Sequence, residues 1–433
     1  MKTVIMAGGR GTRLQSVTNC IPKPMVSING IPVLERELIE LKEQGLNDII
    51  ITISYLGNVI KEYFGDGSRL GINIEYFEEV QPLGNAGALF ELRDKLRDDF
   101  LLINGDVVFS VDFNRMLEFH KEHMAMVTLF THPNAHPYDS GLIITEDDGS
   151  VKTWLAKEDK RPRWYKNRVN AGLHIISPRI FDYYADRIRC GVNDCGEVQK
   201  VDLDRDLLKP LAGTNLMFCY DSPEYVKDMG TPDRLERVVE DYCRNIVLGK
   251  RLSNRQKAIF LDRDGTLNKY VGFLKNIDDL ELLDGVADAI RKINQSEYLA
   301  IIITNQPVIA RGEVTEEELN EIHNKLETLL GNEGAYIDAI YYCPHHPDSG
   351  YKGEIKEFKI ECDCRKPKAG LLYRAAEKFN IDLQKSWMVG DSNNDILAGN
   401  RAGCHTCYVG NSNCDGYEIK CDNLLSFVNE LLN

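Results

Sequence analysis

Residues 258–266 read AIFLDRDGT, and residues 3–13 read TVIMAGGRGTR. In each stretch an apolar run passes directly into a loop dense in aspartate or glycine. This order is typical of the first strand and loop of an α/β domain, in which ligands bind beyond the carboxyl ends of the strands. Between the two, Pro232–Lys257 is charged and amphipathic, which predicts a terminal helix and a linker. We therefore expect two α/β domains, residues 1–250 and 251–433.

Further strands and helices are expected in both halves from apolar runs and helical periodicity. The strand candidates are Asp48–Ser54, Phe100–Ile103, Met126–Phe130, Leu299–Thr304, Ile337–Cys343, Ser386–Val389 and Thr406–Val409, and the helix candidates include Val33–Gln44 and Glu316–Leu330.

Composition narrows the class of protein. The 433 residues carry a formal net charge of −15, which argues against nucleic acid or an anionic membrane as the main partner. No apolar run approaches the roughly 18 residues that a membrane span needs. The first residues do not resemble a signal peptide, and 12 cysteines without one indicate reduced thiols. We expect a cytoplasmic enzyme.

The first glycine-rich loop suits phosphate binding. Its glycines let the backbone approach phosphate oxygens, and Arg13 adds a cation. The spacing fits neither a Walker A loop nor a dinucleotide fingerprint, and a tight turn without a ligand is the alternative. The next segment, Pro22-Lys23-Pro24-Met25, holds a lysine between two prolines that stiffen the backbone. This pairing favours a phosphate site.

GGRGTRL (Gly8–Leu14) followed by PKPM (Pro22–Met25) resembles the signature of the sugar-1-phosphate nucleotidyltransferases. The resemblance implies a Rossmann-like domain with a mixed sheet that transfers a nucleotidyl group from a nucleoside triphosphate to a sugar 1-phosphate. Arg13 and Lys23 would be catalytic. The residues implied to contact substrate are Gly8, Gly9, Gly11, Thr12, Gln81 and Gly84 for the nucleotide, and Lys157, Asn170 and Gly172 for the sugar phosphate.

The same resemblance implies that Asp106 and Asp228 hold Mg²⁺. Asp106 follows the apolar run Phe100–Ile103, so it is expected at the carboxyl end of a strand. Lys157 is a weaker assignment, because the family order Glu-Lys is replaced here by Ala-Lys-Glu, and a surface lysine is the alternative.

In the second half, Asp262 and Asp264 stand two apart directly after a strand, in a D-x-D-G-T pattern that resembles the haloacid dehalogenase superfamily. The resemblance makes Asp262 the nucleophile and Asp264 the acid and base. It implies a parallel sheet, and the short stretch from Thr266 to Thr304 leaves no room for a large cap. The resemblance further implies phosphate contacts by Thr304, Asn305, Arg365 and Lys366, and Mg²⁺ bound by Asp262, Asp264 and Asp391.

A separate metal site is predicted from Cys343, His345, Cys362 and Cys364. The Cys-x-His and Cys-x-Cys pairs together offer three sulfur ligands and one imidazole, a set suited to tetrahedral zinc. Reduced cysteines that only pack are the alternative. His346 is not expected to be a ligand.

CPHHPD and CDCRKP (residues 343–348 and 362–367) are similar to the D-glycero-D-manno-heptose 1,7-bisphosphate phosphatases, and also to histidinol-phosphate phosphatases. Ser392 departs from the lysine that often follows the last aspartate motif in these enzymes. Removal of the 7-phosphate would supply heptose 1-phosphate to the first domain, with GTP favoured as nucleotide, for cell-surface polysaccharide such as lipopolysaccharide. Two alternatives remain open: the same chemistries on mannose 1-phosphate and histidinol phosphate, or a sensor with inactive sites.

Overall fold

The computed structural model describes residues 1–9, 21–54, 56–79, 83–188, 200–410 and 414–432. The chain divides into two compact units. The first comprises Met1–His132, Gly141–Ala156 and Asn170–Leu248, and the second comprises Pro133–Ser140, Lys157–Val169 and Gly249–Asn433. Within the described ranges, no helix combines the length and apolar character needed to cross a membrane.

Strands and helices alternate through the first half of the chain. Its strands are β1 (Lys2–Met6), β2 (Ser27–Ile28), β3 (Ile31–Pro32), β4 (Asp48–Ile53), β5 (Asn73–Glu78), β6 (Phe100–Asn104), β7 (Val107–Ser110), β8 (Val127–His132), β9 (Leu142–Thr145), β10 (Val151–Leu155), β11 (Val169–Ile176), β12 (Met217–Asp221) and β13 (Tyr225–Asp228). Its helices are α1 (Val33–Glu43), α2 (Gly57–Phe64), α3 (Gly87–Glu91), α4 (Phe113–Glu122), α5 (Arg179–Tyr183), α6 (Pro232–Cys243) and α7 (Ile246–Gly249).

The main sheet of the first unit is mixed. Its described strands run in the order β10-β9-β11-β6-β1-β4-β5, and β8 pairs with both β11 and β12. Strands β6, β1, β4 and β5 are parallel neighbours, whereas β11 is antiparallel to β6. Along β6, Leu102 packs into one apolar cluster and Leu101 and Ile103 into another. This alternation buries both faces of the sheet, as a layered α/β domain requires.

The second half has strands β14 (Lys257–Leu261), β15 (Tyr298–Asn305), β16 (Ala339–Cys343), β17 (Trp387–Gly390), β18 (His405–Val409) and β19 (Ile419–Cys421). Its helices are α8 (Val286–Asn294), α9 (Glu316–Asn332), α10 (Gly370–Phe379), α11 (Asn393–Ala402) and α12 (Leu424–Leu432).

These six described strands form one parallel sheet in the order β16-β15-β14-β17-β18-β19. Ile259 and Leu261 pack on one face, and Ala258 and Phe260 on the other. Strand β14 lies between β15 and β17, so the residues that follow these three strands share one edge of the sheet. Only α8 and a short 3-10 turn occur between β14 and β15. The predicted fold classes, a mixed sheet in the first domain and a parallel sheet without a large cap in the second, are therefore confirmed.

Two short segments from the first half belong to the second unit. Arg168 is buried and forms an ion pair of 3.1 Å with Glu327 of α9. Its guanidinium also donates to the carbonyl oxygen of Asp338 at 3.1 Å, and the Tyr165 N–H donates to the Thr328 hydroxyl at 2.9 Å. No sequence pattern predicted this arrangement.

Candidate active sites

The first site is built on the loop that joins β6 to β7. A Cβ atom on Gly105 would lie 2.4 Å from the carbonyl oxygen of Met6, so the loop needs glycine where it passes the end of β1. Asp106 follows, and its Oδ2 lies 2.8 Å from Nζ of Lys23. Lys23 begins a 3-10 helix directly after Pro22, in agreement with a stiffened backbone. The lysine and the carboxylate, which were predicted from separate motifs, thus form an ion pair beside the loop that joins β6 to β7.

Asp228 reaches the same place on β13. Strand β13 is antiparallel to β7 with Asp228 opposite Val107, and the Met229 N–H donates to the carbonyl oxygen of Asp106 at 2.9 Å. Nη1 of Arg234 lies 2.8 Å from both carboxylate oxygens of Asp228. Burial raises the pKa of Asp228, but the hydrogen bonds from Arg234 and the Gly230 N–H outweigh it, so the net pKa is lowered.

These two carboxylates suit a hard cation. Both offer oxygen ligands from distant segments, which is the donor set that Mg²⁺ prefers. Lys23 lowers the pKa of Asp228 by its charge, so it lies near both acids. A cation would compete with Lys23 and Arg234 for the two carboxylates, and both competitors are themselves positive charges suited to a phosphate.

The glycine positions divide into two groups. Among the described residues, a Cβ on Gly9 would meet nothing within 4 Å, whereas Gly84 has φ +83° and its Cβ would lie 2.3 Å from the carbonyl oxygen of Val201. The Asn85 side chain accepts the Leu203 N–H at 2.7 Å, which fixes the same loop. Gly8 lies two residues beyond the end of β1, and a Cβ there would lie 3.5 Å from that of Ser54. Gly11, Thr12, Arg13 and Gln81 lie outside the described residues.

The predicted sugar-contacting segment lies on β11. Gly172 has φ +76°, and a Cβ there would lie 2.6 Å from Nδ2 of Asn104. Asn170 is half-buried and hydrogen-bonds to His174. Lys157, by contrast, is exposed, lies 3.7 Å from Glu158 and belongs to the second unit. Its assignment to the sugar phosphate stays a prediction.

The second site gathers three carboxylates. Asp262 follows β14, Asp391 follows β17 and Asp395 lies on α11, with oxygens within 4.8 Å of one another. Gly265 has φ +87°, and a Cβ there would lie 2.0 Å from Oδ2 of Asp391, so only glycine lets the two loops meet. This cluster of oxygen ligands fits Mg²⁺. Asp264 is not a member of it.

Lys366 neutralises part of this negative charge. Its Nζ lies 2.7 Å from Oδ1 of Asp262 and 2.5 Å from Oδ1 of Asp395, and it donates to the Ile303 carbonyl oxygen at 2.7 Å. Burial lowers the pKa of Lys366, but the charges and hydrogen bonds of the two carboxylates outweigh burial, so the net pKa is raised. Burial and then the Asp395 charge raise the pKa of Asp262 to about 7, against the pull of Lys366. Similar causes raise the pKa of Asp391 to about 6.

Asp264 has the opposite environment. Burial raises its pKa, but the charge and hydrogen bonds of Arg263 and the amides of Asn268 and Gln306 lower it overall. Arg263 is fully buried, and its Nη2 lies 2.7 Å from Oδ2 of Asp264. Nη1 of Arg263 also donates to Nε2 of His323 at 3.2 Å, since a guanidinium can only donate. Two aspartates two residues apart therefore differ in proton affinity, with Asp262 holding a proton more readily than Asp264. A nucleophile beside a general acid needs the reverse order, and a cation bound at the carboxylate cluster would lower the pKa of Asp262.

The remaining predicted phosphate contacts lie at the same edge. Asn305 and Lys366 exchange two hydrogen bonds of 3.0 Å, so the amide holds the backbone that carries the lysine. Thr304 is buried and accepts from Gln306 at 2.9 Å. Arg365 donates to the carbonyl oxygen of His345 at 3.2 Å.

The structure brings Cys343, His345, Cys362 and Cys364 together. The Cys343 sulfur lies 3.6 Å from that of Cys362 and 3.2 Å from that of Cys364, and Nδ1 of His345 lies 3.2 Å from the Cys364 sulfur. Ligands of a tetrahedral Zn²⁺ at about 2.3 Å stand about 3.8 Å apart, so the cluster fits a metal ion of this size. Hydrogen bonding with Cys343 lowers the pKa of Cys364 to about 5, which favours a thiolate ligand. His346 instead contacts Asp348 and Arg311.

Sequence reasoning missed several polar residues of these sites. Arg263, Asn268 and Gln306 surround Asp264, and His323 reaches Arg263 from α9. The first three lie within or next to the recognised motifs and could have been found there. His323 carries no local signal, because only the packing of α9 brings it to the site.

Comparison with known proteins gives matches for both halves. A family model described as nucleotidyl transferase matches residues 2–245, and one described as HAD-hydrolase-like matches residues 363–422. The chain is 42% identical over 152 residues to D-glycero-beta-D-manno-heptose-1,7-bisphosphate 7-phosphatase of Haemophilus ducreyi, covering 35% of this chain and 81% of that protein. The phosphatase of the same name from Escherichia coli K12 is 43% identical over 141 residues, covering 33% of this chain and 72% of that protein.

Among solved structures, HddC from Yersinia pseudotuberculosis is 26% identical and covers 56% of this chain and 99% of its own, with a TM-score of 0.46. The two family models include Lys23, Asp106 and Asp228 of the first site and Lys366, Asp391 and Asp395 of the second. The chain is therefore an enzyme that belongs to the nucleotidyl transferase family through its first half and to the HAD-like phosphatases through its second.

Proposed function

We propose that this chain catalyses two steps in the synthesis of a nucleotide-activated heptose. The second unit removes the 7-phosphate of D-glycero-D-manno-heptose 1,7-bisphosphate. The first unit transfers a nucleotidyl group, GMP from GTP, to heptose 1-phosphate and releases pyrophosphate. The heptose 1-phosphate that the second unit produces is a substrate of the first unit. This gives a chemical reason for the fusion of the two units in one chain. We place the functional division at residues 1–250 and 251–433.

One observation carries the phosphatase assignment: Asp262 lies in a buried cluster with Asp391, Asp395 and Lys366. An aspartate so placed can attack phosphorus, because positive charge offsets its repulsion from the phosphate. The relatives that match this half are phosphatases named for the heptose bisphosphate. That agreement supports the choice of substrate.

The phosphatase reaction then follows from two aspartates. An Asp262 oxygen forms a bond to phosphorus as the sugar oxygen leaves, and Asp264 gives that oxygen a proton. Asp264 next takes a proton from water, whose oxygen attacks the aspartyl-phosphate and frees Asp262. Arg263, Asn268 and Gln306 favour the ionised form of Asp264, which suits the second step. Asp264 must loosen these contacts to act as the acid of the first step.

Nucleotidyl transfer needs no protein nucleophile. An oxygen of the sugar phosphate attacks the α-phosphorus and pyrophosphate leaves, so the protein contributes positioning and charge. Lys23 and Arg13 are the proposed cations, and Asn170 and Gly172 the proposed sugar contacts. Asp106 and Asp228 would hold Mg²⁺, which would neutralise phosphate charge when bound.

We further propose that the four-residue Cys/His cluster holds Zn²⁺ as a structural ion. It lies directly before Arg365 and Lys366 in the chain, and Arg365 bonds to the backbone of the ligand His345. Zinc would therefore fix the loop that presents both cations. Metal analysis of protein prepared without chelators is expected to give about one zinc per chain.

The experiment is mass spectrometry of the products formed from heptose 1,7-bisphosphate with each of the four nucleoside triphosphates. We expect free phosphate, and GDP-heptose only with GTP. Asp262→Asn should abolish phosphate release while nucleotidyl transfer to supplied heptose 1-phosphate stays within about twofold of wild type. Asp106→Asn should have the reverse effect.

Three outcomes would count against the proposal. Loss of both activities in either variant would contradict two independent sites. Turnover of mannose 1-phosphate and histidinol phosphate in preference to the heptose substrates would keep the chemistry and replace the substrates. Release of neither phosphate nor pyrophosphate would favour a sensor with inactive sites.

A further inference from the structure

A partly buried hydrogen bond on β11 links two polar residues across a glycine. Nε2 of His174 lies 3.1 Å from Oδ1 of Asn170. In an extended strand, residues four apart are separated by about 13 Å, so their side chains would not meet. Gly172 stands between them with φ +76°, which breaks the extension and leaves no side chain in the way. The contact therefore depends on a local bend and not on ordinary strand geometry.

The Gly172 N–H fixes which end of the Asn170 amide faces inward. This N–H donates to Oδ1 of Asn170 at 3.4 Å, and a backbone donor can meet only an acceptor. Oxygen must therefore lie on this side of the amide, and His174 must donate to it through Nε2–H. Two donors converge on one oxygen, which holds the amide in a single orientation.

The surroundings of His174 keep its ring in one protonation state. The side chain is fully buried, and its Nδ1 has no hydrogen-bond partner among the described residues. Burial lowers the pKa of His174 to about 3. The ring is thus neutral at any pH near neutrality and offers one donor, which it gives to Asn170.

The opposite end of the amide is the part left for a ligand. Among the described residues, Nδ2 of Asn170 makes no hydrogen bond, and the half-buried Asn170 lies two residues before Gly172, whose Cβ position faces the Asn104 amide. With Oδ1 occupied, the residue can offer only N–H donors. We infer that His174 is a positioning residue that orients Asn170 to donate to the sugar phosphate. The recognised group is then an oxygen that accepts a hydrogen bond, a hydroxyl or phosphate oxygen of the sugar 1-phosphate.

This inference rests on the proposed nucleotidyl transfer and deepens it. The test compares His174→Leu, which removes the donor at similar size, with His174→Gln, whose amide can still donate. We expect the KM for the sugar 1-phosphate to rise about tenfold in the leucine variant and to return most of the way in the glutamine variant. The KM for the nucleoside triphosphate should change less than about twofold in both.

Asn170→Asp is the complementary variant. A carboxylate still accepts from His174 and Gly172 but offers oxygen where the amide offered N–H, so the KM for the sugar 1-phosphate should rise at least as far. This change is nearly isosteric, so it keeps the inference testable if the leucine variant does not fold. Phosphate release by the second unit, measured on the same samples, reports an intact chain.

Equal KM values for wild type and Asn170→Asp would overturn the inference, as would parallel rises in both substrate KM values for His174→Leu. If the wild type itself releases no pyrophosphate, the proposed function fails, and NMR judges the inference separately. With ¹⁵N-asparagine labelling, the Asn170 side-chain resonance, identified by its loss in Asn170→Asp, should shift on addition of sugar 1-phosphate. Absence of that shift in the wild type would overturn it.

Discussion

Lys366→Met is the most informative single change to the second unit. The ammonium group is buried against the carboxylates of Asp262 and Asp395 at 2.7 and 2.5 Å. Methionine fills a similar volume without the charge, so the variant leaves two buried carboxylates facing each other. Both stability and catalysis should respond.

The magnitude follows from the burial of the pair. Removal of one partner of a buried ion pair costs about 3–5 kcal/mol, because the remaining charge is left without compensation. For a unit of this size, each kcal/mol lowers the melting temperature by about 2–4 °C. We therefore expect the second unit to melt about 6–20 °C lower, in buffer without added divalent cation. Phosphate release should be lost as well.

Scanning calorimetry of the full chain measures this shift, and pyrophosphate release reports that the first unit is unaffected. The matched control is Lys385→Met, a lysine whose side chain is 66% exposed and lies 3.8 Å from Asp382. A surface pair of this kind contributes about 0–1 kcal/mol, so its melting temperature should stay close to that of wild type. If Lys366→Met melts with the control, the lysine is not the counter-ion of the cluster and our reading of this site is wrong.

Three further predictions test other parts of the molecule. Gly172→Ala should abolish nucleotidyl transfer, because the added Cβ would collide with the side-chain amide of Asn104. Gly213→Ala is the control, since Gly213 has the same φ of +76° and no contact closer than 3.7 Å, and it should cost only about 1–2 kcal/mol of stability and keep activity. A similar loss of activity in both variants would refute the collision. Arg168→Met should lower the melting temperature of the phosphatase unit while pyrophosphate release persists, since its buried ion pair lies in that unit; an unchanged melting temperature would contradict this. Burial lowers the pKa of His174 and of His323 to about 3, so the unfolded chain binds protons first as pH falls below about 6.5, and each histidine should cost about 1.4 kcal/mol by pH 5.5. Urea unfolding at pH 7.5 and 5.5 would show it, and a loss of equal size in the His323→Asn variant would exclude that histidine as its source.

The sequence by itself determined the elements whose signal is local. An apolar run stands before AGGRGTR and before DRDGT, and such a run is stable only when it is buried. The glycines and aspartates that follow are unsuited to a buried strand, so both the strand and the start of the loop can be predicted from the sequence. The four members of the Cys/His cluster could be picked out for the same reason, since the suitability of a set of ligands depends on residue type and close spacing. Even so, ten strands were not predicted, because their identity depends on neighbours far along the chain. They are β2, β3, β5, β7, β9 to β13 and β19.

The tertiary structure decided which charges face one another. The motif DRDGT does not predict that Arg263 forms an ion pair with Asp264, or that Lys366 lies against the carboxylates of Asp262 and Asp395. The assignment of Lys157–Val169 to the second unit is likewise invisible in the sequence. The physical reason is that hydrogen bonds and ion pairs act over a few ångströms in space, whereas sequence patterns record only neighbours along the chain. Partners brought together by packing are therefore seen only once the chain has folded.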